Sequence, residues 1–365
     1  MKIVMIGADR SVKGGVSAMV NNLYEAGLDR RVELTYIGTM VDGSRARKAL
    51  QAVLALWRFL WALPGTDLIH VNMAADASCF RKLIFMRIAA LFGKKILLQE
   101  HGGDFSGFYY ERCGDKTRER VKRGLNLADL CLVLSEEWKD FFSDILPAEK
   151  IFVLHNGVPV PQEGKADYSD HRALFLGRLC REKGVEELLE AAAKARWEVP
   201  DFQLILGGTW ERGNEELKRR AESLADFVTC PGWVSPKERE ELFARCSLFV
   251  LPTWFEGQPV SLLEAMAAGL CPAASAVGGI PQVLEGDRRG EASSLPRGFD
   301  GCGVLLPPKD PEALAQALIG LLKDEELRRG IGSRARQRIL EEYDIKNTAE
   351  RLVEFYGSIC KKEGR

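Results

Sequence analysis

Surplus charge, long apolar runs, paired cysteines and histidine are all scarce in this 365-residue chain, and each scarcity removes a class of function. With 51 Lys+Arg against 52 Asp+Glu, the formal net charge is -1. A general nucleic-acid binder would carry a clear basic excess, so no nucleic-acid partner is expected. The longest apolar region, Leu50 to Leu63, is interrupted by Arg58 and is too short to span a bilayer. The opening "MKIVMIGADR" has no cleavage-site pattern and reads as a first strand rather than a secretory signal. Nine cysteines are odd in number, scattered and never spaced as CxxC. That usage suits a reducing cytoplasm better than a disulfide framework or a zinc site. The four histidines, at 70, 101, 155 and 171, show no HxxxH spacing, so no metal is expected. The expected location is therefore cytoplasmic, at most peripheral on the inner face of a membrane.

What the chain does have is alternation. Apolar residues make up 46% of it, and its length exceeds the size at which a single hydrophobic core stops growing. Short apolar runs, "KIVMI", "VELTYI", "DLIHV", "KKILLQ", "LCLVLS" and "KIFVLH", alternate with amphipathic stretches through the first half. This is the pattern of a parallel sheet with crossover helices. "HNGVPVPQEGKADYSDH" reads as a linker, after which "RALFLG", "DFQLILGG", "DFVTCPG", "SLFVLP" and "LCPAAS" restart the alternation. The expected fold is α/β with two doubly wound Rossmann-like domains, residues 1-160 and 161-344, and a C-terminal helix over 345-362 that crosses back to the first. The halves differ in charge sign: 23 cations against 19 anions in residues 1-165, and 28 against 33 beyond.

In open parallel sheets ligands bind beyond the carboxyl ends of strands, where helix N-termini gather, and every candidate motif falls at such a place. In "FLGRLCREKGVEELLEA", Arg178 leaves a strand tip and Lys183 opens a helix, a pairing that suits a diphosphate. An ordinary surface Arg and Lys is the alternative. "KGGVS" places Gly15 at the start of the first helix, where backbone N–H groups can approach an anion; a plain structural turn fits as well. His101 follows the fourth strand beside two glycines. It is either a hydrogen-bonding group for a ligand or a satisfied structural histidine.

The most unusual stretch is Cys246 to Leu284, 39 residues whose only charged side chains are Glu256 and Glu264. At the chain's 28% charged composition about 11 would be expected. A buried, unpaired carboxylate costs several kcal/mol, so each needs a partner that the local sequence does not supply. Pro259 is well placed at the start of a helix, whose pattern puts Glu264 off the buried face. A sugar diol on Glu264, with phosphate at the helix end, is one solution; a distant Arg or Lys is the other.

The order of Gly-Gly-Val near the start, a histidine after the fourth strand, "GRLCREKG", "GWVSPKEREELFARCSLFVLPTWFEG", "PVSLLEAMAAG" and "AVGGIPQV" resembles the family 4 glycosyltransferases of the GT-B fold over nearly the whole chain. The resemblance implies two Rossmann-like domains facing across a cleft and a retaining, metal-independent sugar transfer that needs no cofactor beyond its donor, a UDP- or GDP-sugar. By position it implies Arg178 and Lys183 on the diphosphate, Glu264 on the ribose, and Glu256 on hydroxyls of the donor sugar. It further implies the backbone of Val260 and Ser261 lining the sugar-phosphate pocket, Val234 beside the base, Gly15 near the phosphate, and His101 near the reacting carbon. Three positions depart from the family pattern: Pro259 where an N–H donor is common, Gln282 in place of Glu, and Ala276 in place of an acidic residue.

The acceptor implied is a saccharide or lipid-linked saccharide, in polysaccharide or glycolipid assembly. Residues 44-65 combine Arg45, Arg47, Lys48 and Arg58 with Trp57, Phe59 and Trp61, as an interfacial helix on an anionic membrane would. Leu50, Val53, Leu54, Trp57 and Trp61 serve equally as a core stripe. A nucleotide-sugar epimerase, a non-catalytic partner subunit of a transferase, and a glycosidase using Glu256 and Glu264 are the competing functions.

Overall fold

The computed structural model describes residues 1–285 and 301–361; residue 362 of the expected C-terminal helix and the stretch 286–300 of the second domain lie outside them. The chain divides into two compact units, Met1–Pro159 with Ile345–Arg365, and Val160–Asp344.

The first unit is built on six strands: β1 (Lys2–Gly7), β2 (Glu33–Gly38), β3 (Leu68–Met73), β4 (Lys95–Glu100), β5 (Leu130–Val133) and β6 (Ile151–Val153). Their order is β2-β1-β3-β4-β5-β6, with every pairing parallel. β3 and β5 are buried at every position; β5 reads as a continuous apolar run, whereas β3 carries His70 and Asn72, buried polar groups that the fold hydrogen-bonds. The second unit repeats the plan with β7 (Arg172–Leu176), β8 (Gln203–Gly207), β9 (Val228–Gly232), β10 (Leu248–Leu251), β11 (Cys271–Ser275) and β12 (Val304–Leu306). Its order is β12-β11-β10-β7-β8-β9, again parallel. β12, three residues long, carries too short an apolar run to show in the sequence. Each sheet reverses direction once, between β1 and β3 in the first and between β7 and β10 in the second. A crevice for ligands forms at such a point.

Seven of the helices position candidate site residues or carry exposed apolar surface: α1 (Gly15–Glu25), α2 (Arg45–Ala62), α3 (Ala77–Leu91), α4 (Val185–Glu198), α5 (Pro236–Phe243), α6 (Val260–Ala267) and α7 (Ile345–Lys361). α2 buries Ala55 and Phe59 in the core, with Leu56 and Ala62 packed partly against it, and Phe59 meets Phe85 of α3 edge to face at 5.0 Å. The core-stripe reading of Leu50, Val53, Leu54, Trp57 and Trp61 is thereby overturned, since all five are exposed. The two residues with the deepest reach, on the opposite side of the helix, suffice to anchor it. Among the described residues no helix is long and apolar enough to cross a membrane.

α7 packs on α1 and ties into the first sheet through a buried polar chain. The Tyr356 hydroxyl lies 2.7 Å from His70 Nδ1, and His70 Nε2 lies 3.0 Å from Gln99 Oε1. Because the Gln99 oxygen can only accept, Nε2 carries the proton and Nδ1 accepts from Tyr356. Burial pushes the His70 imidazole down to about 3, so it folds neutral.

This makes stability depend on pH. The folded value lies below the unfolded value of about 6.5, so the contribution of His70 is complete above pH 6.5 and is lost as pH falls toward 3. Between those limits the unfolded chain binds one more proton at this site, worth about 1.4 kcal/mol per pH unit. Urea unfolding of the wild type and His70→Gln from pH 8 to pH 5 is expected to show a slope shallower by that amount in the variant below pH 6.5. Parallel slopes would mean that His70 is protonated in the fold. Glu100, whose neutral form burial favours, contributes the opposite slope to both proteins and cancels in the comparison.

Candidate functional site

The second unit gathers its polar chemistry at the reversal between β7 and β10. β7 ends at Leu176, and the chain then runs through Arg178 and a single tight turn, Arg181–Lys183, to Gly184, which caps α4. Gly184 has φ +71, and a Cβ there would overlap the Pro252 carbonyl oxygen. Only glycine permits this left-handed turn pressed against the backbone that follows β10. Hydrogen bonds from Trp254 N (3.0 Å) and Thr253 Oγ1 (3.4 Å) to the Glu182 carbonyl fix the two loops together. Lys183 and Glu256 are thus brought side by side, and Lys183 Nζ donates to Glu256 Oε1 in an ion pair with side chains 13% and 17% exposed.

A third loop closes over Glu256 from the end of β11. Gly278, at φ +54, lies so close to the Glu256 carbonyl oxygen that a Cβ would overlap it, and Gly279 N donates to the Gly257 carbonyl at 2.8 Å. Glycines at 278 and 279 are what allow the "VGG" turn to sit on this backbone. α6 then begins at Val260 with Pro259 as its cap residue, one position outside the helix rather than at its first turn. The first helical amides, at Val260 and Ser261, have no acceptor within the helix, and the positive end of the helix dipole lies here.

Glu264 departs from expectation. It is buried, 9% exposed, in a helix buried at nearly every position, not off the apolar face. It also has a protein partner, since Arg239 Nη1 lies 2.9 Å from Glu264 Oε2. Arg239 is supplied by α5, whose start is fixed by a capping box between Ser235 and Glu238. Of the two solutions open to Glu264, a sugar diol or a distant Arg or Lys, the structure shows the second, and it gives Glu256 a cation as well. Lys183 and Arg239 come from segments 73 residues before Glu256 and some two dozen before Glu264, and only the fold brings them in. Arg178 is likewise engaged, ion-paired to Glu211 beyond β8. Val234, half-buried, follows β9, and its methyl group occupies the space a Cβ on Gly207 would need.

The chemistry of this set is that of a polar crevice with matched cations and carboxylates: Arg178 with Glu211, Lys183 with Glu256, Arg239 with Glu264. An incoming diphosphate could take the two loop cations, and sugar hydroxyls could take the released carboxylates. Cys180, Glu182 and Glu211 place three possible metal donors within 4.8 Å of one another. Burial pushes the Cys180 thiol up to about 11, and Glu211 already holds Arg178, so an ion bound here would have to displace a proton and a guanidinium.

In the first unit, β1 leads toward Gly14 and Gly15 at the start of α1, where a Cβ would meet nothing within 4 Å. Packing does not demand glycine there; the exposed amides are simply left uncovered. His101 follows β4 and is partly buried. Its Nε2 lies 2.8 Å from Asn72 Oδ1, and Asn72 Nδ2 donates to the Ile6 carbonyl at 3.4 Å. The Asn72 oxygen therefore accepts, Nε2 carries the proton, and Nδ1 presents a lone pair. Burial, reinforced by the Lys82 cation, holds the ring well below the usual range at about 3, so His101 is neutral. Lys82, 1% exposed, is itself pushed down to about 7 by burial.

Sequence reasoning missed Arg239, Glu211, Asn72 and Lys82. The Ser-x-x-Glu box at 235–238 is a legible helix start that would have placed Arg239 in a first turn. Lys82, one of three cations on its helix beside Arg81 and Arg87, gave no signal that it alone would be buried.

Residues 13–161 match the family model described as Glycosyltransferase Family 4, and residues 170–324 match that described as Glycosyl transferases group 1. The chain is 29% identical over 266 residues to alpha-maltose-1-phosphate synthase of Mycolicibacterium smegmatis, covering 65% of each. The chain spans about half to two-thirds of the length of the curated relatives it matches. Among solved structures, a sucrose-phosphate synthase from Thermosynechococcus elongatus superposes with TM-score 0.78 at 22% identity, covering 98% of both chains. Anabaena HepE in complex with UDP-glucose superposes at 0.76 with 18% identity, covering 98% of this chain and all of that one. At such identities these two show the fold, GT-B, and no more.

Proposed function

The chain belongs to the family 4 glycosyltransferases, and from that premise we propose that it transfers a sugar from a UDP- or GDP-sugar to a saccharide or lipid-linked saccharide with retention of configuration, without a metal. The observation that carries this reading is the reversal point of the second sheet, where Lys183 and Glu256 are paired beside the N-terminus of α6. A pyrophosphate takes Arg178, Lys183 and the Val260 and Ser261 amides, the ribose diol takes Glu264, the donor sugar takes Glu256, and Val234 borders the base. Within the first unit, the uncovered Gly15 amide suits a phosphate and His101 Nδ1 can accept from a sugar hydroxyl. The leaving phosphate is stabilised by cations and a helix end already in place, so catalysis is mainly electrostatic and positional.

The relative named alpha-maltose-1-phosphate synthase supports a hexosyl donor. The pairing of Glu256 and Glu264 with cations disfavours a glycosidase, whose two carboxyl groups must act as acid and nucleophile. The test is a thermal-shift panel of UDP-, GDP- and ADP-sugars followed by product analysis with and without acceptor. The expected result is stabilisation by one nucleotide series and transfer only when acceptor is present. Conversion of the donor alone to another sugar nucleotide would assign an epimerase, and no stabilisation by any member of the panel would overturn the donor site. Because the acceptor class includes lipid-linked saccharides, we also propose that the protein works against an anionic membrane surface.

A further inference from the structure

The exposed apolar side chains of the first unit are concentrated on two helices. On α2, Leu50, Val53, Leu54, Trp57, Leu60 and Trp61 are between 41% and 73% exposed. Their spacing of three and four residues makes one continuous stripe along the helix, opposite to the Ala55 and Phe59 side that enters the core. On α3 and just beyond it, Phe80, Ile84, Leu91 and Phe92 are exposed, the last two at 84% and 58%. The helices are neighbours. Phe59 and Phe85 stack edge to face between them, and at their ends Lys94 Nζ donates to the Thr66 carbonyl at 2.9 Å, drawing the exit of α3 to the exit of α2. These two neighbouring helices and the turn after α3 expose ten large apolar side chains, a concentration that marks an interaction surface rather than singly scattered apolar residues.

The charge on these helices has a single sign. α2 and α3 contain Arg45, Arg47, Lys48, Arg58, Arg81, Lys82 and Arg87 and no Asp or Glu, in a chain whose net charge is -1. Elsewhere surface cations are commonly paired with carboxylates. Arg45, Arg47, Lys48, Arg58 and Arg87 make no ion pair with any described residue. A second copy of the chain is a poor occupant, because a symmetric contact through this face would set two groups of unpaired cations against each other.

We propose that the α2–α3 face is the surface on which this protein lies on a lipid bilayer rich in anionic headgroups, with the α2 stripe and the Leu91–Phe92 corner entering the headgroup boundary. The two tryptophans on successive turns, Trp57 and Trp61, 5.8 Å apart, supply the amphipathic rings suited to that depth. The unpaired arginines and Lys48 meet the phosphates. Leu91 and Phe92, with no counterpart in the stripe along residues 44–65, make the contact two helices wide and so set the orientation of the first sheet on the membrane rather than merely tethering it. The inference deepens the membrane part of the proposed function and is independent of sugar transfer.

The test is co-sedimentation of the full chain with vesicles of phosphatidylcholine alone and with phosphatidylglycerol added. The expected result is binding to the anionic vesicles, weakening as salt rises, and little to the neutral ones. Trp57→Ser/Trp61→Ser is expected to lower the partition coefficient by at least about tenfold, and Arg45→Glu/Lys48→Glu to do so on anionic vesicles. Both pairs lie outside the donor site, so the thermal shift by sugar nucleotide should be unchanged in each. That separates failure of this surface from failure of the donor reading. Absence of binding to anionic vesicles at low salt, or undiminished binding by both double variants, overturns the proposal. So does a concentration-dependent dimer that the tryptophan substitutions abolish, which would assign the face to self-association.

Discussion

Lys183→Ala is expected to lower kcat/KM for the sugar nucleotide by about 10²–10³-fold, the range found when one preorganised donor to developing negative charge is removed. The same substitution has a second consequence that must be separated from the first. Lys183 compensates Glu256 in a pair whose side chains are only 13% and 17% exposed. Deleting one member of a buried pair costs about 3–5 kcal/mol because the other charge is left alone; here water still reaches both groups, so the lower end applies. A variant that merely unfolds would mimic a catalytic defect. Lys183→Met/Glu256→Gln removes both charges and keeps the volume, and is expected to return stability to within about 1 kcal/mol of wild type while leaving turnover low. If the double variant uses donor at the wild-type rate, Lys183 holds the loop after β7 against the loop after β10 and does not bind phosphate.

Glu264→Gln is expected to weaken sugar-nucleotide binding by about 100-fold, which at 1.4 kcal/mol per factor of ten is about 2.8 kcal/mol. Isothermal titration measures it directly. The comparison that decides the role of Glu264 is with Arg239→Gln. Arg239 pairs with the buried carboxylate at 2.9 Å. If that pairing is a placeholder for the ribose diol, Arg239→Gln lowers the stability of the free protein but leaves donor affinity equal or tighter, since the carboxylate no longer has to be released. If the pair is purely architectural, both variants lose stability and neither changes donor affinity. The two outcomes differ in the response of Glu264→Gln, whose loss of affinity the architectural case does not produce, so general destabilisation cannot pass for a ribose contact.

The local elements were legible because their signals are local. Apolar runs bounded by Gly and Pro marked eleven strands that the structure contains, and the positions of Arg178, Lys183, His101 and Glu256 just past strand ends came from counting along those runs. β12 escaped because three residues carry no period. The stripe on α2 was visible as a pattern, but a pattern of apolar residues does not say which side of a helix is covered. Leu50, Val53, Trp57 and Trp61 satisfy the spacing of a core face and of an exposed face alike, and only the packing of Phe59 against Phe85 chose between them.

By itself the sequence determined the α/β architecture, the alternation that builds two parallel sheets, and the chemical types at the strand ends, because each of these depends on neighbours within a few residues. Tertiary structure alone decided the partners. That Lys183 meets Glu256 and Arg239 meets Glu264 depends on strand order, which places β7 next to β10 although 71 residues separate Glu182 from Thr253 in the loops they join. A charge seen alone along the chain is not alone in space. The energy of a buried carboxylate depends on distance to the nearest cation, not on separation in sequence.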